Sequence, residues 1–174
     1  MKLKIGIIGT NFISDWFADA ARQVPGAVLH AVYSRKKETG DAFAGKLQIP
    51  HVYDDYEAFL ASDIDAVYVA SPNFAHCGQT IRALECGKHV LCEKVMAVNE
   101  EEVRAMIDCA QQNRVVLLEA MRPDFDPAFR IVEERFSMRL TRNWEMPRSW
   151  ISGSTVSIPS CASSECPNPS KHPQ

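Results

Sequence analysis

Four short polar breaks in this 174-residue chain carry residue types able to do chemistry: Gly9-Thr10-Asn11, Ser34-Arg35, Ser71-Pro72-Asn73 with His76, and Glu93-Lys94. The first has the make-up of an anion cradle. Gly9 permits a sharp turn, Asn11 is the non-glycine residue that best tolerates positive φ, and Ser14 is small enough for close strand–helix packing. These three fill the glycine places of the pattern G-x-G-x-x-G. The side chain of Asn11 takes up space where a pyrophosphate would approach. Phe12 and Ile13 open a helix, whose first N–H groups and dipole would attract a phosphate. The same loop also reads as a strand–turn–helix that binds nothing.

Some twenty residues further on, an acid would bind a free ribose 2′-hydroxyl. No acid stands there. Ser34, Arg35, Lys36 and Lys37 offer a hydroxyl and three cations, which suit a 2′-phosphate, so NADP is expected and NAD is the alternative. The competing reading is an exposed basic helix start, but cations at a helix N-terminus oppose its dipole unless an anion is near. His76 can contact a ligand or cap and pack at a helix start. Trp16, Phe17, Phe43, Phe59 and Met106 read as core, not as a cofactor box.

The elements that position these residues follow from periodicity. Apolar runs at 3–8, 28–33, 51–53, 66–70, 89–92 and 115–118 predict six short strands. Between them lie helical patterns. Phe12, Ile13, Trp16, Phe17 and Ala20 recur at helical spacing in the first; Phe43, Ala44 and Leu47 share a face of the second, which stops before Pro50. Asp54-Asp55 offers a cap for a third helix through Tyr56, Phe59 and Leu60. A fourth is expected over about 76–86, with Ile81 and Leu84 inward and Gly87 as its C′ residue. Asn99 and Glu102 form a capping-box pattern for a fifth, with Val103, Met106, Ile107 and Ala110 on one side. Alternating strands and helices predict an α/β fold of Rossmann type, a doubly wound parallel sheet. Ligands of such sheets sit beyond the carboxyl ends of the strands where strand order reverses, and the four polar breaks fall at those ends.

Composition narrows the partners. A net charge of −3 gives no basic field for nucleic acid and no polybasic membrane patch. No apolar stretch approaches 18 residues and no signal peptide is evident, so the chain reads as cytoplasmic. Six cysteines (Cys77, Cys86, Cys92, Cys109, Cys161, Cys166) show no zinc spacing, and no metal is expected. The first four read as small core or helix-face residues.

GIIGTNFIS, AVYSR, VASPNFAH, ECGKHVLCEK and VLLEAM, in this order and spacing, resemble the N-terminal domain of the Gfo/Idh/MocA oxidoreductases over about residues 1–136. The likeness is to the branch whose loop reads GTN followed by an aromatic residue. It implies a two-domain NAD(P)-dependent enzyme acting on sugars, polyols or related hydroxy compounds. Glu93-Lys94-Val95 matches the family's E-K-P motif with Val in place of Pro. By that resemblance Lys94 lies beside the nicotinamide and the reacting carbon, where an ammonium stabilises charge developing on the substrate oxygen. Ser71, Pro72, Asn73 and His76 are similar to the turn that lines the ribose and nicotinamide, with Asn73 the better cofactor contact. Members usually associate through their second domain.

Nothing past Glu119 matches that second domain. The expected organisation is a cofactor domain at 1–120, a linker helix within 121–136, and a Ser/Pro-rich tail at 137–174 too poor in apolar surface to order. A chain truncated or altered after about Glu134 fits this change in character. A one-base frameshift is one origin, because displaced codons permit family-like text from near Asn143. Three functions then remain open: a dehydrogenase, a cofactor-binding module without turnover, and a non-functional truncated product.

Overall fold

The six apolar runs form strands β1 (Leu3–Ile8), β2 (Ala27–Tyr33), β3 (His51–Tyr53), β4 (Ala66–Val69), β5 (His89–Cys92) and β6 (Leu117–Glu119) in a computed structural model that describes residues 2–122. Helices α1 (Phe12–Arg22), α2 (Lys37–Leu47), α3 (Tyr56–Leu60), α4 (Asn73–Glu85) and α5 (Glu100–Asn113) separate them. All strand pairings are parallel, in the order β3-β2-β1-β4-β5-β6. Strand order reverses between β1 and β4. The expected linker helix, the tail at 137–174, and Cys161 and Cys166 lie outside the described residues.

Strand side chains alternate between faces, and the core divides accordingly. Val67, Val69, Val90 and Cys92 point to one face, where Phe59, Leu84, Met106 and Ala110 pack on them from α3, α4 and α5. Ile5, Ile7, Val32, Tyr68 and Ala70 point to the other, under Ala18 and Ala21 of α1 and Phe43, Ala44 and Leu47 of α2. Helices therefore cover both faces of a doubly wound Rossmann sheet. Phe59 is wholly buried and fills the space above Gly6, where a Cβ would come within 2.5 Å of its ring. Its truncation to Ala would cost about 3–5 kcal/mol.

Helix boundaries follow local chemistry. Asp55 accepts from the Ala58 N–H at 2.7 Å and starts α3. Asn99 accepts from the Glu102 N–H at 2.8 Å, and the Glu102 carboxylate returns to the Val98 N–H, one residue before the one a capping box uses. Gly87, at φ +71, terminates α4 as expected. That helix starts three residues earlier than the sequence suggested, so Asn73 and His76 ride its first turns. The thiols of Cys77, Cys92 and Cys109 are free; Cys92 is buried, which pushes its pKa up to about 12 and leaves it inert.

One expectation for α1 is overturned. Trp16 is 58% exposed and Phe12 67%, and they pack edge-to-face on each other at 5.4 Å outside the core. The buried residues are Ser14, Ala18 and Ala21, while Ala20 is exposed. Small residues let this helix lie close to the sheet, and they carry little hydropathy to advertise the inward face. Phe17 does face inward and stacks on Tyr68 at 3.8 Å; Phe43, Phe59 and Met106 are core as expected.

Candidate functional site

The strand ends β1, β2, β4 and β5 open into two adjoining depressions at the carboxyl edge of the sheet. The larger, of about 540 Å³, is bounded by Gly9-Thr10-Asn11, Ser34-Arg35-Lys36 with Thr39, Ser71-Pro72 and Gln79. The smaller, of about 260 Å³, is bounded by Asn11-Phe12-Ile13, Ser71, Asn73 with His76, and Glu93-Lys94. The residues named from the four polar breaks line one or both; Ser14, Lys37 and Val95 line neither.

The first loop is built by two constraints. Gly9 sits at φ +97, and a Cβ there would stand 2.5 Å from the Ala70 carbonyl oxygen, so no other residue fits without moving backbone. Asn11 serves differently from expectation. Its φ of −94 and ψ of 177 are extended, not left-handed, because it is the N-cap of α1. Its Oδ1 accepts from the Ile13 and Ser14 N–H groups at 3.0 and 3.3 Å, and its Nδ2 donates to the Ala70 carbonyl at 2.7 Å. With its oxygen and its amide both bonded to the chain, the side chain is fixed where the two depressions adjoin. The N–H groups of Thr10, Asn11 and Phe12 remain those toward which an anion can be drawn.

At the end of β2, Ser34 Oγ donates to the Lys36 carbonyl at 3.0 Å and lies 3.1 Å from Thr39 Oγ1. Lys36 is the N-cap of α2 and has no side-chain cap bond, so the helix start is open. Lys37 is turned away: its ammonium bonds Asp41 one helical turn on at 2.9 Å, and this partner raises its pKa. Arg35 and Lys36 are the cations that line the larger depression.

The lysine loop is held at three points. Glu93 accepts from the Tyr68 hydroxyl at 2.5 Å and from the Lys94 N–H at 3.2 Å. Burial, and then the bond to Glu93, push the Tyr68 pKa up, so the phenol stays a donor. His76, wholly buried, has Nε2 2.8 Å from the Ser71 carbonyl and Nδ1 2.9 Å from the Val95 carbonyl, and the nitrogen that carries the proton donates to its carbonyl. The Met96 N–H donates to Glu119 at 2.9 Å. The Lys94–Val95 peptide is cis. These contacts supply the restraint that Pro gives elsewhere, and they leave the Lys94 side chain exposed at the mouth of the smaller depression. His76 thus borders the smaller depression while both ring nitrogens face backbone carbonyls. Sequence reasoning did not single out Thr39, Gln79 or the Tyr68 hydroxyl. Gln79 was findable: it falls one turn after His76 and two after Pro72.

Among the described residues, no cluster of three or more His, Cys, Asp or Glu side chains is placed to hold a metal ion, and no helix is long and apolar enough to cross a membrane.

Comparison with known proteins agrees with this geometry. The model of a family described as an oxidoreductase family with an NAD-binding Rossmann fold, GFO_IDH_MocA, matches residues 3–121. The scyllo-inositol 2-dehydrogenase (NADP(+)) of Bacillus subtilis is 45% identical over 129 residues, covering 74% of this chain and 39% of that protein. The D-xylose 1-dehydrogenase (NADP(+)) 2 of Haloferax volcanii is 36% identical over 126 residues, covering 72% and 39%. A 3-ketoreductase from Actinomadura kijaniata, crystallised with NADP and TDP-benzene, superposes with a TM-score of 0.73 at 27% identity over 79% of this chain and 43% of that one. The chain spans about two fifths of the length of the curated relatives it matches.

Proposed function

Because this chain belongs to the Gfo/Idh/MocA family of oxidoreductases with an NAD-binding Rossmann fold, we propose that it binds NADP(H) along the two depressions and presents Lys94 for hydride exchange with a sugar, polyol or related hydroxy compound. The observation that carries the reading is the convergence of four strand-end segments at the point where strand order reverses. The residues fit the group. Gly9 lets the loop pass within contact of Ala70, and Thr10 to Ile13 place a helix start under the pyrophosphate. Ser34, Arg35 and Lys36 would hold the 2′-phosphate; NADH is the alternative ligand of the same groove. Ser71, Pro72, Asn73 and His76 would line the nicotinamide side, with Glu93 fixing the turn that carries Lys94.

When bound, the dinucleotide supplies or accepts the hydride. Lys94 holds a proton donor at the substrate oxygen and stabilises charge that develops there. Titration with NADPH and NADH, read by nucleotide fluorescence and thermal shift, tests the binding; no response to either removes it. Turnover on a polyol panel, abolished by Lys94→Ala, tests the chemistry.

A second reading is cofactor capture without turnover, Val95 standing where the family's E-K-P motif has Pro. Binding without activity on the panel would select it. The organisation we propose is a cofactor domain at 1–120, a linker at 121–136 and a separate segment at 137–174, in a cytoplasmic protein.

A further inference from the structure

Gln79 lies two turns into α4 and lines the larger depression beside Ser71 and Pro72. Its position is fixed twice. The Tyr56 hydroxyl donates to its backbone carbonyl at 2.7 Å, and Ser71 Oγ donates to its side-chain Oε1 at 2.6 Å. With Oε1 facing Ser71, Nε2, which bonds no other described residue, is the outward donor. Oε1 keeps a second lone pair beside it. A donor next to an acceptor at amide spacing matches the N7 and N6 positions of adenine, the pairing by which glutamine reads that base.

Resting on the reading that this depression takes NADP(H), we propose that Gln79 recognises the adenine base, Nε2 donating to N7 and Oε1 accepting from the 6-amino group, with Ser71 as the residue that orients it. The placement suits this role. Arg35 and Lys36 mark the ribose and its phosphate at the end of β2, and Gln79 bounds the same depression from the α4 side. The loops after β1 and β2 bring cations and backbone N–H groups, which attract phosphate without regard to the base. Gln79 adds the discrimination they lack.

Equilibrium binding of NADPH and its hypoxanthine analogue to the full chain tests the inference. The analogue replaces the 6-amino donor by an oxygen, which faces Oε1 and repels it. Wild type should bind NADPH at least about fivefold more tightly than the analogue. Gln79→Leu should bind both with equal affinity, its loss falling on NADPH. Equal binding of the two by wild type overturns the inference while leaving the cofactor reading intact. A Leu variant that weakens both by one factor and keeps the preference also overturns it, since that marks a disturbed turn. Wild type that binds neither overturns both.

Discussion

Asn11 ties the loop after β1 to the end of β4: its side-chain amide donates to the Ala70 carbonyl at 2.7 Å while its oxygen caps α1. These are the two strands between which strand order reverses, so one side chain joins the two loops that border the proposed cofactor groove. Glycine at this place would leave the loop free to approach a phosphate but would lose all three bonds.

Asn11→Ala should therefore lower stability by about 1–2 kcal/mol, the usual cost of losing an N-cap. Asn11→Gly should cost less at the cap, a few tenths, yet still lose the tie to Ala70 and weaken NADPH binding. Urea denaturation of the two variants checks the order, and an Ala variant as stable as wild type would remove the capping role.

Gly9→Ala meets a harder obstacle. The new Cβ would stand 2.5 Å from a backbone oxygen at φ +97, and Ala70 cannot yield because its own N–H is bonded to Ile8 at 2.9 Å. A loss of more than about 1 kcal/mol is expected, with cofactor binding abolished. A melting temperature unchanged from wild type would show that the loop can rebuild.

Arg35→Ala separates the two cofactors. A charge-assisted bond to a 2′-phosphate is worth about 1.5–3 kcal/mol, so NADPH affinity should fall at least about tenfold while NADH affinity holds. Equal losses on both ligands would place Arg35 on a part they share.

Much of this was legible before the structure, for identifiable reasons. β1, β3 and β5 have the predicted bounds because each is an apolar run closed by turn residues. The polar breaks at Gly9, Ser34, Ser71 and Glu93 mark strand ends, and parallel topology gathers strand ends along one edge. What the sequence hid depends on phase and aim. The inward face of α1 is made of Ser14, Ala18 and Ala21, which hydropathy does not distinguish from its outward face. Asn11 looks like a left-handed turn residue until its side chain is seen to cap. Gln79 lies off the Ile81 and Leu84 face expected for its helix, while Tyr68 sits in an apolar strand, and the aim of its hydroxyl at Glu93 shows only in the structure.

Tyr68→Phe isolates one of those directions. The ring would keep its stack on Phe17 while losing only the hydroxyl that bonds Glu93. Hydrogen bonds to charged groups are worth about 1.5–3 kcal/mol, and partial exposure of Glu93 puts the expected stability loss toward the lower figure. The loop carrying Lys94 loses one of its three anchors, so a looser fit at the nicotinamide end should accompany it. Unchanged stability with unchanged NADPH affinity would show that His76 and Glu119 suffice to hold the loop.

His30 on β2 lies beside His51 on β3, ring centroids 4.7 Å apart. Burial first, and then the His51 and Lys4 charges, lower the His30 pKa below 6.5, against a smaller pull from Asp63 and Asp65. A lowered folded-state pKa means the unfolded chain takes up the proton more readily. Stability is therefore held above about pH 6.5 and falls as pH drops through the folded value. His30→Gln should flatten that acid limb while leaving stability at pH 8 close to wild type. Chemical denaturation at pH 8, 6.5 and 5 measures it, and identical acid limbs in the two proteins would assign the loss to the carboxylates.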